Sequence, residues 1–411
     1  MEDRQQTNLV AIDVGTTKVC TLVAQVNPEG RVQLLGYGVT KSAGIRKGVV
    51  VDMDLAQEAT SASILEAKRS SGTTFNEAYV GFTGDQVVSK NAIGNASLDS
   101  SRPITTDDLY KAQADAGTPW EDDSDELLHV IPLGYTVDGQ ACDNEPIGMH
   151  GGNLLTKHHV ISMPPAPLRN LKTVIEGAGI RVQGMVLEPI ASGESVLTDD
   201  EMQRGVAIID IGGGTSDIAL FHRGKPIHTT ILPVGGHQIT NDIALMLGTP
   251  YVSANDLKIN YGGASPNNQE EPIRVPSVGA QNSRTVSPIE LNLIIRARIN
   301  ELFHIASKRL SNPELKNLMP GGPAGLVITG GTSHLQGIAR AANDIFHMPV
   351  RLGTPEGIDL MPDSLNNPEF AAASGMLLWA NKDLKKKKTA LNLSSNTTQR
   401  ITGWMRNLLK V

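Results

Sequence analysis

The chain has 411 residues, which is enough for two or more domains with buried cores. Its formal net charge of -7 gives no overall attraction to nucleic acid, so we do not expect a nucleic-acid partner. The two cysteines, Cys20 and Cys142, show neither a disulfide framework nor metal-type spacing, which suits a reducing cytosol. A polar N-terminus and the lack of any apolar run of about 18 residues predict neither a secretory signal nor a membrane span.

A strand pattern near the N-terminus leads into a glycine loop. Residue 8 is polar, residues 9–12 are apolar, and the sequence DVGTTK follows at residues 13–18. This order predicts a buried strand that opens into a tight turn. The loop residues that we expect to contact phosphate are Gly15, Thr16, Thr17 and Lys18.

The same pattern occurs again about two hundred residues later. Residues 205–209 form an apolar run, and DIGGGTSD follows at residues 210–217. The expected nucleotide-binding residues here are Gly212, Gly213, Gly214, Thr215 and Asp217. A third strand-then-glycine pattern at residues 326–332 contains Gly330 and Gly331, where close backbone approach would admit a nucleoside.

The paired loops favour a nucleotide site. Glycines let backbone N–H groups approach phosphate oxygens, and hydroxyl side chains add donors. Asp13 and Asp210, facing each other across a cleft, would hold Mg²⁺ through its waters. Either loop alone is also compatible with an ordinary hairpin turn. Neither a Walker motif nor a GxGxxG-plus-acid fingerprint is present, which argues against P-loop and Rossmann chemistry.

The two loops and the later TGG loop resemble the actin-type ATPase superfamily, which includes actin, DnaK-type chaperones and sugar kinases. Further stretches narrow the resemblance to the FtsA family of actin-like bacterial cell-division proteins, from about residue 8 to the C-terminus. These stretches are LHVIP at 128–132 with Tyr135, Asp138 and PIGM at 146–149, LEPIAS at 187–192, GG at 235–236 with Thr240 and DIA at 242–244, and VPSVG at 275–279.

The resemblance implies an α/β, actin-like, two-lobed ATPase fold with an FtsA-type inserted subdomain and a C-terminal amphipathic helix. The implied divisions are a first-lobe core at 1–84, completed by 166–195 and about 345–381; the inserted subdomain at 85–165; a second-lobe core at 196–234 and 301–344; its outer subdomain at 235–300; a flexible basic linker at 382–398; and a membrane-binding helix at 399–411. Helix candidates lie at residues 54–70 and 289–310. The acidic run at 121–126 is most simply a solvated loop.

The resemblance also implies roles in catalysis. Glu188 would orient the attacking water, with Asp13 and Asp210 at the Mg²⁺, although a Glu before Pro can also simply cap a turn. Lys18 has a comparable alternative as an exposed strand residue. Further contacts to ATP are expected from Gly236, Asn255 and Lys258. Asn255 stands where the superfamily usually has Glu, so the charge-assisted bond to ribose is lost and nucleotide affinity is expected to be lower.

Three histidines are weak candidates for ligands. His237 stands where the FtsA-like pattern has Asn, and a lone His at a helix start is more often a cap or a surface residue. His158 and His159 are adjacent in a strand-like run, so they should point to opposite faces and do not form a metal site.

Two surfaces are expected to bind macromolecules. In the FtsA family, the outer subdomain docks the acidic and apolar C-terminal tail of FtsZ. Arg284, Arg296 and Arg298 are candidate contacts, although surface arginines on a helix are usually only solvated. At the C-terminus, an eleven-residue helical stripe has one apolar and one basic face. Its residues are Ile401, Trp404, Met405, Leu408 and Leu409 on the apolar face, with Arg400, Arg406 and Lys410 opposite.

The stripe is too short to span a bilayer, because eleven residues at about 1.5 Å each reach only about 16 Å. It therefore predicts an interfacial helix on an anionic membrane, supported by the basic run at residues 385–388. The alternative is that this helix packs against the protein itself or against a partner helix.

The implied function is an ATP-binding, self-assembling protein, with slow ATPase activity, that tethers FtsZ filaments to the inner face of the cytoplasmic membrane at the division septum. Later division proteins would bind the inserted subdomain. A sugar-kinase-like phosphotransferase and a pilus-assembly relative of FtsA are the alternatives.

Overall fold

The protein is built on two mixed β-sheets that each begin with one of the strand-and-glycine-loop patterns. The computed structural model describes residues 7–117, 125–142, 144–265, 271–277 and 283–394. Within these ranges, no helix combines the length and the apolar character needed to cross a membrane.

The strands are β1 (Thr7–Val14), β2 (Lys18–Val26), β3 (Val32–Lys41), β4 (Ile45–Arg46), β5 (Val49–Val50), β6 (Glu77–Phe82), β7 (Val88–Ser97), β8 (Glu126–Val137), β9 (Gln140–Cys142), β10 (Asn153–Met163), β11 (Arg181–Leu187), β12 (Val206–Ile211), β13 (Ser216–His222), β14 (Lys225–Leu232), β15 (Ile273–Pro276), β16 (Ser283–Val286), β17 (Leu326–Thr329), β18 (Val350–Leu352) and β19 (Ile358–Asp359). The helices are α1 (Met53–Ser71), α2 (Thr106–Gly117), α3 (Pro165–Gly177), α4 (Glu188–Val196), α5 (Asp199–Arg204), α6 (Gly236–Leu247), α7 (Tyr251–Tyr261), α8 (Pro288–Leu310), α9 (Pro313–Leu318), α10 (Ile338–Phe346) and α11 (Ala371–Ser394). Short 3₁₀ turns lie at Gly331–His334 and Pro368–Phe370.

The first sheet has the strand order β11-β6-β1-β2-β3-β19 and forms the first lobe. Strand β1 runs parallel to β6 and antiparallel to β2, so that Asp13 lies opposite Cys20. Helices α1 and α3 pack on one face and α11 on the other. Because both faces are covered, β1 is apolar along most of its length, and the predicted strand at residues 8–12 is confirmed.

The second sheet repeats this arrangement in the second lobe. Its order is β14-β13-β12-β17-β18, with β12 parallel to β17 and antiparallel to β13. Asp210 is the penultimate residue of β12 and lies opposite both Asp217 on β13 and Thr329 on β17. The second and third glycine loops therefore follow adjacent parallel strands and meet at one edge of the sheet.

A four-stranded sheet lies between β6 and α3 in the chain, with the order β7-β10-β8-β9 and α2 packed against it. It also contacts the second lobe. The Ser89 hydroxyl donates to the Thr229 carbonyl at 2.5 Å, and the Asn91 amide donates to the Ile227 carbonyl at 3.1 Å. His159 is buried and bridges Asn91 and Thr229 through its two ring nitrogens. This inserted sheet therefore touches the edge strand of the second lobe.

Helices α6, α7 and α8, with the β15–β16 hairpin, form the outer part of the second lobe around a shared apolar core. The Ser287 hydroxyl caps α8, and Pro288 occupies its first turn, where a missing N–H costs nothing. The predicted helices at 289–310 and 54–70 are both confirmed.

The predicted flexible linker at 382–398 is helical as far as Ser394, because α11 continues through it. Lys, Leu and Ala dominate residues 384–391, and these residue types favour helices. The start of the segment is held to the first lobe: the Tyr79 hydroxyl donates to Asp383 at 3.0 Å, and Lys385 donates to the Gly30 carbonyl at 3.2 Å. The rest of that linker, the predicted membrane helix at 399–411 and most of the acidic run at 121–126 lie outside the described residues.

Candidate functional site

The first two glycine loops face each other across a cleft of about 440 Å³ between the lobes. Both loops close in the same way. The Gly15 N–H donates to the Lys18 carbonyl at 3.0 Å, and the Gly212 N–H donates to the Thr215 carbonyl at 3.0 Å. Two copies of one turn therefore form opposite walls of a cavity that is within the size range of small-ligand sites.

The two loops approach each other so closely that glycine is required. A Cβ on Gly213 would lie 2.2 Å from the Thr17 hydroxyl, and one on Gly214 would lie 2.6 Å from the Thr16 hydroxyl. Any side chain at these positions would fill the space between the lobes. The loops instead present backbone and hydroxyl groups, which are the donors that anions bind.

Four carboxyl groups cluster at the base of the cleft, those of Asp13, Glu188, Asp210 and Asp217. Burial raises the pKa of Asp13, although nearby Lys18 opposes the rise, and burial raises the pKa of Asp210 to about 6. The pKa of Glu188 is raised well above its usual value by burial and then by the charges of Asp13, Asp217 and Asp210. A cation would relieve this clustering of like charges.

Asp13 and Asp210 could hold a divalent cation. Within the ranges that the structure describes, no three His, Cys, Asp or Glu side chains converge as a set able to hold a metal ion. Two carboxylates suit an ion such as Mg²⁺, which keeps several waters and takes further oxygen ligands from phosphate.

Asp217, which was predicted to contact the nucleotide, lies beside Glu188. Its side chain is buried, and its carboxyl lies beside Glu188, Thr83 and Thr215. Burial, followed by the charge of Asp210, raises its pKa to about 7. The register of β13 turns this side chain towards Glu188, so its position favours holding Glu188 over touching a ligand directly.

Ser192 on helix α4 is a residue of the site to which the sequence alone had given no role. Glu188 is the first residue of α4, and Pro189 sits in its first turn. Ser192, one turn later on the same face, donates its hydroxyl to Oδ2 of Asp210 at 2.5 Å. The spacing of Glu188 and Ser192 in the LEPIAS stretch was the available signal.

Lys18 lines the cleft and is not a free surface residue. Its Nζ donates to the Glu369 carbonyl at 2.5 Å and lies 3.5 Å from Glu369 Oε2. It also lies 4.8 Å from the centre of the Phe370 ring. Glu369 and Ala372 line the same cleft, and local sequence pattern had indicated neither.

Gly236, Asn255 and Lys258 line the second-lobe side of the cleft, as does His237. Lys258 Nζ donates to the Gly236 carbonyl at 3.0 Å and to the Thr240 hydroxyl at 2.9 Å, while Asn255 Oδ1 lies 3.4 Å from the same hydroxyl. Burial lowers the pKa of Lys258 to about 8. Lys258 therefore remains mostly charged at neutral pH and anchors the loop that carries Gly236.

Gly330 and Gly331 complete the cleft. Gly330 has a φ of 85°, and a Cβ there would lie 2.2 Å from Oδ1 of Asp210. Thr332, two residues after Gly330, donates its hydroxyl to the Gly212 carbonyl at 2.9 Å. The third glycine loop is thereby tied to the second, and Leu335 and Ile259 add apolar surface to the same cavity.

The three candidate arginines of the outer subdomain have different environments. Arg284 and Arg296 are exposed. Arg298 forms two hydrogen bonds to Asp242, at 2.6 and 2.9 Å, and a third to Glu301. Its guanidinium is therefore engaged within the protein, which makes it a poorer candidate for partner binding than Arg284 or Arg296.

Comparison with known proteins identifies the family. The sequence model described as "Cell division protein FtsA" matches residues 207–375, and "SHS2 domain inserted in FTSA" matches residues 84–162. Cell division protein FtsA of Pseudomonas aeruginosa is 35% identical over 388 residues, which cover 94% of this chain and 91% of that protein. The chain belongs to the FtsA family. FtsA of Escherichia coli strain K12 is 31% identical, with 97% of this chain and 96% of that protein covered.

Solved structures place this FtsA-family protein in the actin-like fold. The PilM-PilN type IV pilus biogenesis complex aligns with a TM-score of 0.66 at 17% identity, covering 91% of this chain and 98% of that one. MreB5 of Spiroplasma citri bound to ADP aligns with a TM-score of 0.55 at 15% identity, covering 92% and 98%. At these identities the likeness shows the fold alone. The predicted actin-like, two-lobed α/β fold with its inserted FtsA-type domain is confirmed.

Proposed function

We propose that this FtsA-family protein binds ATP and Mg²⁺ between its lobes and assembles on the inner face of the cytoplasmic membrane, where it tethers FtsZ filaments at the division septum. The observation that carries the nucleotide part is the pair of matching turns across one cleft, with Asp13 and Asp210 at their bases. Structures of MreB5, which shares the fold, bound to ADP and to AMPPNP support a nucleotide as the ligand.

The chain has suitable groups for the phosphates, the ribose and the metal ion of a nucleotide complex. Thr16, Thr17, Thr215 and the glycine backbones would bind the phosphates, while Lys258 and Asn255 lie where a ribose would approach the Gly236 loop. Asp13 and Asp210 would hold Mg²⁺ through water. Bound Mg²⁺ would supply positive charge that neutralises phosphate oxygens and stabilises the ionised form of the buried carboxyls.

Glu188 is the group best placed to act on water. It lines the cleft at the start of a helix whose next turn is bonded to Asp210. Its raised pKa makes it a stronger base once it is ionised, and Asp217 beside it restricts its orientation. In a slow ATPase of this kind, nucleotide would act as an assembly ligand as much as a substrate.

The outer part of the second lobe offers a surface for the FtsZ tail. Ile289 and Leu293 on α8 are 58% and 61% exposed, and the exposed Arg296 follows on the same helical stripe. Leu245 and Met246 at the end of the neighbouring α6 are also exposed. An apolar surface next to an arginine is complementary to an acidic and apolar peptide.

Self-assembly and membrane binding reinforce each other in this proposal. The predicted C-terminal helix at 399–411 is short and would bind an anionic membrane weakly on its own. A polymer presents many copies on one surface and converts weak binding into avidity. MamK, which shares the actin-like fold with a TM-score of 0.52, is described as a double helical filament. The inserted sheet remains the proposed contact for later division proteins.

The experiment that tests the whole function is a pull-down of FtsZ, with and without its last residues, by vesicle-bound protein in Mg²⁺-ATP. We expect intact FtsZ to be retained and truncated FtsZ to be lost, with less protein on the vesicles when EDTA removes Mg²⁺. Equal retention of both FtsZ forms would refute tail docking, and vesicle binding that is indifferent to EDTA would refute nucleotide-controlled assembly.

A further inference from the structure

His129 connects the inserted subdomain to the residue that precedes Glu188. It lies on β8 and is only 8% exposed, and its Nε2 accepts a hydrogen bond from the Leu187 N–H at 3.2 Å. Leu187 ends β11 and is the N-cap of α4, whose first residue is Glu188. An N-cap residue sets the direction in which a helix leaves the preceding chain, so this bond acts on the backbone that carries the Glu188 carboxyl.

The protonation of His129 suits this bond. Burial lowers the pKa of its imidazole to about 4, so the ring is neutral at pH 7. A neutral imidazole accepts at Nε2 only when its proton is on Nδ1. His129 is therefore an acceptor with one defined tautomer at neutral pH.

Aromatic rings from two other elements hold the imidazole in place. Phe82, at the end of β6, stacks on it with ring centres 5.8 Å apart, and Trp379 of α11 packs edge-on, also at 5.8 Å. Trp379 in turn contacts Tyr79 at 5.9 Å, and the Tyr79 hydroxyl bonds Asp383. Helix α11 therefore packs on the same imidazole ring that accepts a hydrogen bond from the Leu187 N–H.

Helix α11 also contacts the Glu188 region directly. A Cβ on Gly375 would lie 1.6 Å from the Ala191 carbonyl, so α11 and α4 touch at their backbones. A Cβ on Gly81 would lie 2.1 Å from Met376 Cε and 3.4 Å from Glu188 Cγ. Because α11 and α4 pack backbone to backbone at Gly375, we expect a movement of α11 to displace α4.

We propose that His129 is a positioning residue for Glu188, through which the docking of the inserted subdomain and of α11 controls the rate of ATP hydrolysis. The proposal rests on the proposed ATPase function and on the role of Glu188 in it. Each of these two elements is connected to a proposed partner-binding surface. The inserted sheet is the proposed contact for division proteins, and α11 precedes the predicted membrane-binding segment at 399–411. Partner binding on either side would reach Glu188 through this imidazole, without any change in the groups that contact nucleotide.

The test compares His129→Leu, which removes the acceptor, with His129→Gln, whose amide oxygen can occupy the Nε2 position. The matched control is His158→Leu, another buried histidine of the same sheet, which lies near Lys225 of the second lobe. We expect His129→Leu to lower turnover at saturating ATP by about 10- to 100-fold, the range for a misplaced catalytic group, with ATP affinity changed by less than about twofold. His129→Gln should recover most of the loss, and His158→Leu should stay near wild type.

A second readout does not depend on hydrolysis. Hydrogen exchange of the nucleotide-free protein should be faster at the Leu187 amide in His129→Leu and close to wild type in His129→Gln and His158→Leu. If His129→Leu does not fold, His129→Asn replaces it, because the shorter amide cannot reach Leu187.

Glu188→Gln measured in parallel separates two kinds of failure. If Glu188→Gln is slow and His129→Leu matches His158→Leu in turnover and exchange, only the positioning role is refuted. If Glu188→Gln hydrolyses at the wild-type rate, the assignment of Glu188 fails, and the proposal for His129 fails with it.

Discussion

Ser192 donates its hydroxyl to Oδ2 of Asp210 at 2.5 Å, which joins the helix that begins with Glu188 to the strand that carries a proposed Mg²⁺ ligand. This bond lowers the pKa of Asp210 against the larger, opposite effect of burial. The helix that carries the residue proposed to act on water is therefore bonded directly to the residue proposed to hold the ion.

Replacing Asp210 by Ala should remove Mg²⁺-dependent ATP binding, because the carboxylate is there for the ion. We expect affinity for a fluorescent ATP analogue to fall by about 100-fold or more in Mg²⁺, with little change in EDTA. Asp200→Ala is the matched control, since Asp200 is exposed and pairs with Arg204 one turn away. Unchanged affinity in both Asp210→Ala and Asp13→Ala would show that the site is assigned wrongly.

Glu188→Gln should keep ATP affinity and slow hydrolysis by about 100-fold or more, the range for loss of a general base. Gln preserves the size of the side chain but cannot accept a proton. Single-turnover hydrolysis with binding measured separately checks this. A variant that hydrolyses at the parent rate would return Glu188 to the role of a turn cap.

Asp217→Asn should stabilise the nucleotide-free protein, and increasingly so as pH rises. The pKa of Asp217 is about 7 in the folded protein and 3.8 in the unfolded chain. Between about pH 4 and pH 7 the folded wild type therefore keeps a proton on Asp217 that the unfolded chain has lost, so its stability falls as pH rises through this range. The gain in melting temperature over wild type should be small at pH 5 and larger at pH 8. Taking this difference cancels the opposite effect of the buried histidines, whose lowered pKa values cost stability at acid pH. A gain that is independent of pH would contradict the assigned shift.

Leu293→Glu should weaken binding of the FtsZ tail peptide by about tenfold or more. The new carboxylate removes apolar contact from the proposed docking surface and repels the acidic residues of the tail. Leu65→Glu on α1 is the matched control, since Leu65 is a comparably exposed leucine of the first lobe. Fluorescence anisotropy with a labelled peptide measures both. Equal affinities would place the docking surface elsewhere.

Trp404→Glu should release the protein from anionic vesicles and leave nucleotide binding unchanged. At about 100° per residue, Trp404 falls on the apolar face of the predicted helix, whereas Asn407 falls among the basic residues. Asn407→Glu adds the same charge on the polar face and should reduce co-sedimentation much less. If both variants sediment like the wild type, the C-terminal stripe binds something other than lipid.

Sequence by itself determined those features of this protein that depend on residues adjacent in the chain. A buried strand followed by a glycine loop is a local pattern, so Asp13, Asp210 and the glycines around them were found before their lobes were placed together. The helices at 54–70 and 289–310 followed from their local residue pattern in the same way. The family resemblance added Glu188, which local chemistry alone could not separate from a turn cap.

Only the tertiary structure decided which distant groups meet. Lys18 is paired with Glu369, 351 residues away, and His129 with the backbone before Glu188, 58 residues away. Asp217 is turned towards Glu188 by the register of β13, and Arg298 is engaged by Asp242 on another helix. The basic segment after 382, predicted as a linker from composition, is helical to Ser394, beginning where Asp383 and Lys385 contact the first lobe. Such contacts arise from packing between elements, which no periodicity within one segment encodes.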